Sequence, residues 1–162
     1  MASEEEQKKL AKEFFAKAYE LQMGGQFGEA AEQYKKSIEI FPTAEAHTFL
    51  GWAYSFQHRY DEAISECEKA IQLDPDFGNP YNDIGAYLIE KGRFDEAIPW
   101  LQKAVNAKRY DSYCYPHYNL GRIYERKGDW YQALKCYQSS LETNPDYSLA
   151  RKSLNRVKAL LN

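Results

Sequence analysis

The chain has 162 residues, long enough for one domain with a sizeable core. Its hydrophobic share of 44% and aromatic share of 15%, with 14 tyrosines, exclude a disordered chain. A net charge of -3 with no continuous basic stripe gives nothing to attract nucleic acid or an anionic membrane, and three cysteines without Cys-x-x-Cys spacing fit neither a disulfide framework nor a zinc site. No run approaches the ~20 apolar residues that a membrane helix needs. The first six residues, MASEEE, carry no apolar signal region, so a cytoplasmic setting is expected.

In chain order, Ser3 and Glu6 have the spacing of a capping box and should open the first helix. Four segments then line up: FGEAAEQYKKSIEIFP from Phe27, YDEAISECEKAIQLDP from Tyr60, FDEAIPWLQKAV from Phe94 and WYQALKCYQSSLETNP from Trp130. Ala30, Ala63, Ala97 and Ala133 form one column, separated by 33, 34 and 36 residues. Ala18, Gly51, Gly85 and Gly121 form a second column with the same separations. A hydrogen or methyl at these places lets two helices approach closely. The aromatic column Phe27, Tyr60, Phe94 and Trp130 opens each second helix and can wedge against the next repeat. Asp61 and Asp95 suit N-caps. Pro80 and Pro116 suit a first helical position, and Pro42, Pro75 and Pro145 close repeats. A last helix is expected over 148–161, with Leu149, Leu154, Val157 and Leu161 as the stripe that covers the final repeat.

Three places break the pattern. Pro99 falls about one turn into a second helix, where it costs few hydrogen bonds. Arg109 occupies a slot where a closing proline is expected, and two extra residues follow it, so the junction around RYDSYCY should be long. Lys17 stands where other repeats have Leu50, Ile84 and Leu120. Either a polar residue is tolerated there, or the Gly24-Gly25 turn shifts the register and buries Phe15 and Tyr19 instead.

The motifs FLGWAY at 49–54, NDIGAYL at 82–88 and YNLGRIY at 118–124 resemble the first-helix motif of the tetratricopeptide-repeat family, and the likeness runs over about residues 11–147. It implies an all-α, right-handed superhelical solenoid of about four helix-turn-helix units, near 11–43, 44–77, 78–111 and 114–147, followed by the capping helix. It also implies a concave groove that holds a protein segment. Carried over position by position, the groove takes Phe15 and Tyr19 from repeat one, Phe49, Trp52 and Phe56 from repeat two, and Asn82 from repeat three, with Asn79 and Asp83 nearby. Repeat four supplies Tyr118, Asn119, Arg122 and Arg126. The family's carboxylate clamp for acidic chaperone tails is absent, because its positions hold Phe15, Tyr19, Phe49, Asn79 and Asp83. The tyrosines of the junction, Tyr110, Tyr113 and Tyr115, are the alternative binding surface.

Catalytic signals are missing. No phosphate loop, nucleophile elbow or His-Glu-x-x-His occurs. His47 and His117 share one repeat position that faces the partner helix, and His58 replaces a turn glycine. Cys67 falls in a core column, Cys136 lies beside it, and Cys114 in the junction is the thiol expected to be reachable. The chain therefore reads as a non-enzymatic interaction module or adaptor with no cofactor and no metal. Its expected partner is a protein or peptide with apolar anchors and some acidic residues, while self-association stays open. The alternative is a small chaperone that shields apolar segments of clients.

Overall fold

A computed structural model describes all 162 residues and contains nine helices. They are α1 (Glu4–Met23), α2 (Phe27–Ile40), α3 (Ala44–Phe56), α4 (Tyr60–Leu73), α5 (Asn79–Glu90), α6 (Phe94–Val105), α7 (Cys114–Arg126), α8 (Trp130–Thr143) and α9 (Ser148–Leu161). The first eight pair as antiparallel hairpins, α1 with α2 through α7 with α8, and each hairpin stacks on the next. This is the all-α solenoid expected from the repeat.

The small column explains the pairing. A Cβ added to Gly51 would lie 2.9 Å from the Ala63 carbonyl oxygen on α4, and one on Gly121 would lie 2.5 Å from Cε1 of Tyr137 on α8. A Cβ on Gly85 would enter the Leu101 side chain on α6. Ala18, Ala30, Ala63, Ala97 and Ala133 have no exposed surface. Lys17 is exposed beside Ala18, so repeat one keeps the simple register and tolerates a polar residue there. Two buried serines repeat one another's role: Ser37 donates to the Ala11 carbonyl and Ser140 to the Cys114 carbonyl, each at 2.8 Å. Three of the four column aromatics wedge forward as expected, while Trp130 stays 37% exposed. Phe27 stacks on Phe56 at 4.4 Å, Tyr60 meets Tyr87 at 6.1 Å, and Phe94 lies under Arg126 at 5.8 Å.

Helix ends differ in detail from the sequence reading. The capping box is present: the Ser3 backbone amide donates to Glu6 Oε2 at 2.7 Å, and the Glu6 amide donates to Ser3 Oγ at 3.2 Å. Asp61 and Asp95 are not N-caps. Helices α4 and α6 begin earlier, after Arg59 and Arg93, which leaves both aspartates in the first turn, paired with Lys91 and Lys127 of the following hairpins. Pro80 is the second residue of α5, one past the expected first position, and α7 begins at Cys114, so Pro116 is its third. His58 has φ +58°, the left-handed conformation that Gly25, Gly92 and Gly128 adopt in the other intrahairpin turns.

The long junction is anchored rather than loose. The Arg109 amide donates to the Asp76 carbonyl at 2.9 Å, and the Gly78 amide donates to the Arg109 carbonyl at 3.0 Å. A proline at 109 would have no N–H for the first of these bonds. The Arg109 guanidinium lies 4.2 Å above the Phe77 ring and pairs with Asp74 at 2.6 Å and Glu45 at 3.1 Å. Tyr110 packs so closely under Gly78 that a Cβ there would lie 2.5 Å from its ring. Cys114, expected to be reachable, is 4% exposed because the folded-back junction and α8 cover it.

The buried side chains fall into two main clusters. The larger runs from Ala18 and Tyr34 through Leu50, Cys67, Ile84 and Leu101 to Ile123 and Cys136. The smaller joins Ala133, Tyr137 and Leu141 of α8 to Ala150, Leu154 and Val157 of α9. The capping stripe is therefore Ala150, Leu154 and Val157 with Leu161 at its edge. Leu149 is 48% exposed, one residue out of phase with the i, i+4, i+7 spacing that faces α8. Arg156 ties α9 to α7 through Glu125 at 2.8 Å.

Two stability tests follow. Gly85→Leu and Ala97→Leu each overpack the α5–α6 contact and should cost about 1–3 kcal/mol or more in chemical denaturation; unchanged midpoints in both would show that these positions do not set the helix spacing. Removal of 148–162 uncovers Tyr137 and Leu141 and loses two buried aliphatic side chains, for about 3–5 kcal/mol of destabilisation and visible aggregation on heating. A truncated chain that melts with the parent would show that α9 is not a cap.

Candidate binding groove

Helices α3, α5 and α7 touch one another in succession as well as their hairpin partners, and this forms an inner layer. Its first half is a row of aromatic rings. Phe15 of α1 meets Phe49 of α3 at 5.2 Å, Tyr19 meets Phe49 at 6.0 Å, Phe49 meets Trp52 at 5.7 Å, and Trp52 meets Phe56 at 5.4 Å, all edge to face. Such pairs hold rings in place, and Phe56 is braced further by Phe27 stacked on it at 4.4 Å. Tyr19 and Phe56 remain 43% and 47% exposed, and Phe15, Phe49 and Trp52 are partly buried.

Three clefts open along this face. One, of about 360 Å³, lies between α3, α5 and the junction, lined by Phe49, Trp52, Asp83, Tyr110 and Tyr115 with Thr48, Asn79, Asn82 and Ser112. The second, of about 450 Å³, lies between α1 and α3, with Phe15, Phe41 and Phe49 flanked by Lys8, Lys12 and Glu45. The third, of about 340 Å³, sits at the far end, where Tyr118, Arg122, Arg126 and Arg156 surround Glu125. Of the expected groove residues, Phe15, Phe49, Trp52, Asn82, Tyr118, Arg122 and Arg126 line these clefts, whereas Tyr19, Phe56 and Asn119 line none of them. Tyr110 and Tyr115, which the sequence offered as a rival surface, share a cavity with Trp52.

Several expected residues have more partners than the sequence revealed. Asn82 and Asn119 are buried, and Asn119 donates to Asn82 Oδ1 at 3.0 Å. Arg122 donates to Asn119 at 3.1 Å and pairs with Glu90 at 3.3 Å, whereas Arg126 makes no ion pair. Glu125 is held below the usual carboxylate range, chiefly by its bonds to Arg156. Asp83 behaves in the opposite way: burial pushes its carboxyl up to about 7, against a smaller opposing hydrogen bond from Asn82. Cys67, Tyr87 and Tyr110 are the titratable groups whose own shifts register its charge.

Behind the groove, His47 and His117 do face their partner helices. His47 Nδ1 lies 2.6 Å from Glu66 Oε2, and Lys69 holds the other oxygen of that carboxylate at 2.9 Å. Burial opposes ionisation of Glu66, but these two partners outweigh it and leave its pKa lowered. Burial also lowers the pKa of His117. All three thiols are buried and pushed up, Cys136 to about 11, which keeps them protonated at neutral pH.

A solenoid of stacked helical hairpins with a lined inner face defines a helical-repeat interaction scaffold. The Tetratricopeptide repeat family models match residues 44–77 and 76–143, and the chain belongs to that family. The chain is 36% identical over 81 residues to "Small glutamine-rich tetratricopeptide repeat-containing protein 2" of Mycosarcoma maydis, covering 49% of this chain and 23% of that protein. It is 29% identical over 127 residues to "Anaphase-promoting complex subunit 3" of Schizosaccharomyces pombe, covering 78% and 19%. Among solved structures, PilF of Pseudomonas aeruginosa superposes with a TM-score of 0.86 at 22% identity, covering 93% of this chain and 68% of that one. That likeness speaks to the fold. The chain spans about a quarter or less of the two curated relatives.

Asp83 gives a pH test. Its folded pKa lies above its unfolded value of 3.8, so the folded state binds the extra proton and ionisation costs stability as pH rises from about 4 to 7. Asp83→Asn removes that cost. The variant should gain about 1–3 kcal/mol over the parent above pH 7, and the gain should fade below pH 4 in urea titrations. A pH-independent difference would mean that Asp83 is well solvated.

Proposed function

We propose that the chain binds a segment of another protein along the inner face of α1, α3, α5 and α7, as a non-catalytic interaction module. The observation that carries this reading is the continuous aromatic row Phe15, Tyr19, Phe49, Trp52 and Phe56, whose rings brace one another yet keep surface free beside two clefts. Packing alone does not require Trp52 there, because Gly51 already occupies the tight approach to α4. Aromatic side chains held in this way are what binding hot spots favour. The row suits apolar anchors of the partner. The far cleft, with three guanidinium groups around one carboxylate, suits an acidic residue.

Affinity purification from a native extract should return one discrete partner, whereas a spread of unfolded clients would favour the chaperone reading. With that partner, Trp52→Ala should weaken binding by about 2 kcal/mol or more in calorimetry while the melting temperature holds. Arg126→Glu should weaken it as well, by an amount that shrinks with added salt. Trp52→Ala that unfolds the chain would make the row a packing element. Full binding by both variants would move the interface off this face.

A further inference from the structure

We propose that the cavity between Trp52, Asp83 and Tyr110 receives a guanidinium group, so that the segment bound in the groove presents an arginine at this point. The proposal rests on the groove reading above and adds a residue of opposite charge to the partner's apolar and acidic ones.

Charge complementarity carries it. Asp83 is the only lining residue with a formal charge, and it belongs to no ion pair. Elsewhere on the chain, Glu45 and Asp74 share Arg109, and Glu90 holds Arg122. The carboxylate inside the cavity has no such cation. Burial already works against its ionised form. An apolar guest would bury that carboxylate further without a partner, and an acidic guest would meet a like charge.

The walls fit the same guest. Phe49, Trp52, Tyr110 and Tyr115 give the cavity aromatic walls, and aromatic rings attract a flat cation. Thr48, Asn79 and Ser112 add oxygens that can accept from the N–H groups a carboxylate leaves over. The wall formed by the junction is fixed, because Tyr110 is pinned under Gly78 and Arg109 is bonded to the α4–α5 turn. A pre-formed site loses less entropy on binding than one that must close.

The test selects short random peptides on the full-length chain by phage display and measures retained peptides by calorimetry. Retained peptides should share an arginine. Replacing it with citrulline, which keeps the shape and removes the charge, should weaken binding about tenfold or more. Asp83→Asn should weaken the arginine peptide by a similar factor and leave the citrulline peptide unchanged, since the two changes remove one interaction. Circular dichroism checks the fold of that variant, and the citrulline arm needs no change in the protein at all. Citrulline binding within about twofold of arginine, or retained peptides that share only apolar or acidic residues, would overturn the pocket. If those peptides still lose affinity to Trp52→Ala, the groove reading stands without it. Peptides indifferent to both Trp52→Ala and Asp83→Asn, or no retained peptide, would overturn both.

Discussion

The contact between a very small residue on one helix and a large one on its neighbour sets the geometry of the whole chain. Gly85 against Leu101 and Gly121 against Tyr137 bring paired axes closer than ordinary side chains allow, and Gly51 against Ala63 and Cys67 does the same with smaller partners. Tyr34, with no exposed surface, joins Ala18 in the equivalent cluster of the first hairpin. Because interiors are close-packed, this spacing leaves little freedom in how hairpins stack, and repeated stacking turns the first helices inward. The groove is a consequence of that spacing and has no element of its own.

Once the small residue holds the tight position, its neighbours are free for other work. Trp52 follows Gly51 and Asp83 precedes Gly85 by two, so both rotate away from the partner helix and into the same cavity. Neither serves the core. Asp83 acts against stability, whereas most carboxylates on this chain sit in ion pairs or in water. Sites that bind often carry groups that the fold alone would not retain.

The period made the hairpins, the small columns and the wedge aromatics legible, since each repeat restates the same packing problem. The inner-face residues were legible only through family resemblance. Features that depend on a single non-repeating contact were harder to read. Asp61 and Asp95 looked like caps because their partners, Lys91 and Lys127, lie about a repeat away. Cys114 looked reachable because nothing local shows that the junction folds back on Asp76 and Gly78. Leu149 and Ala150 differ by one residue, and hydrophobicity alone chooses the leucine, whereas helix phase chooses the alanine.

The buried side chains form two main clusters that meet within the last hairpin. Helix α7 is the seam: Leu120 and Ile123 belong to the larger cluster, while Tyr118 packs against the smaller. In linear arrays the terminal units are the ones that open at lowest cost. A partner lying from the aromatic row to the arginine cleft would span that seam. Its binding energy would then hold the terminal hairpin against the rest, so occupancy of the groove would also govern how often the C-terminal end of the molecule comes undone.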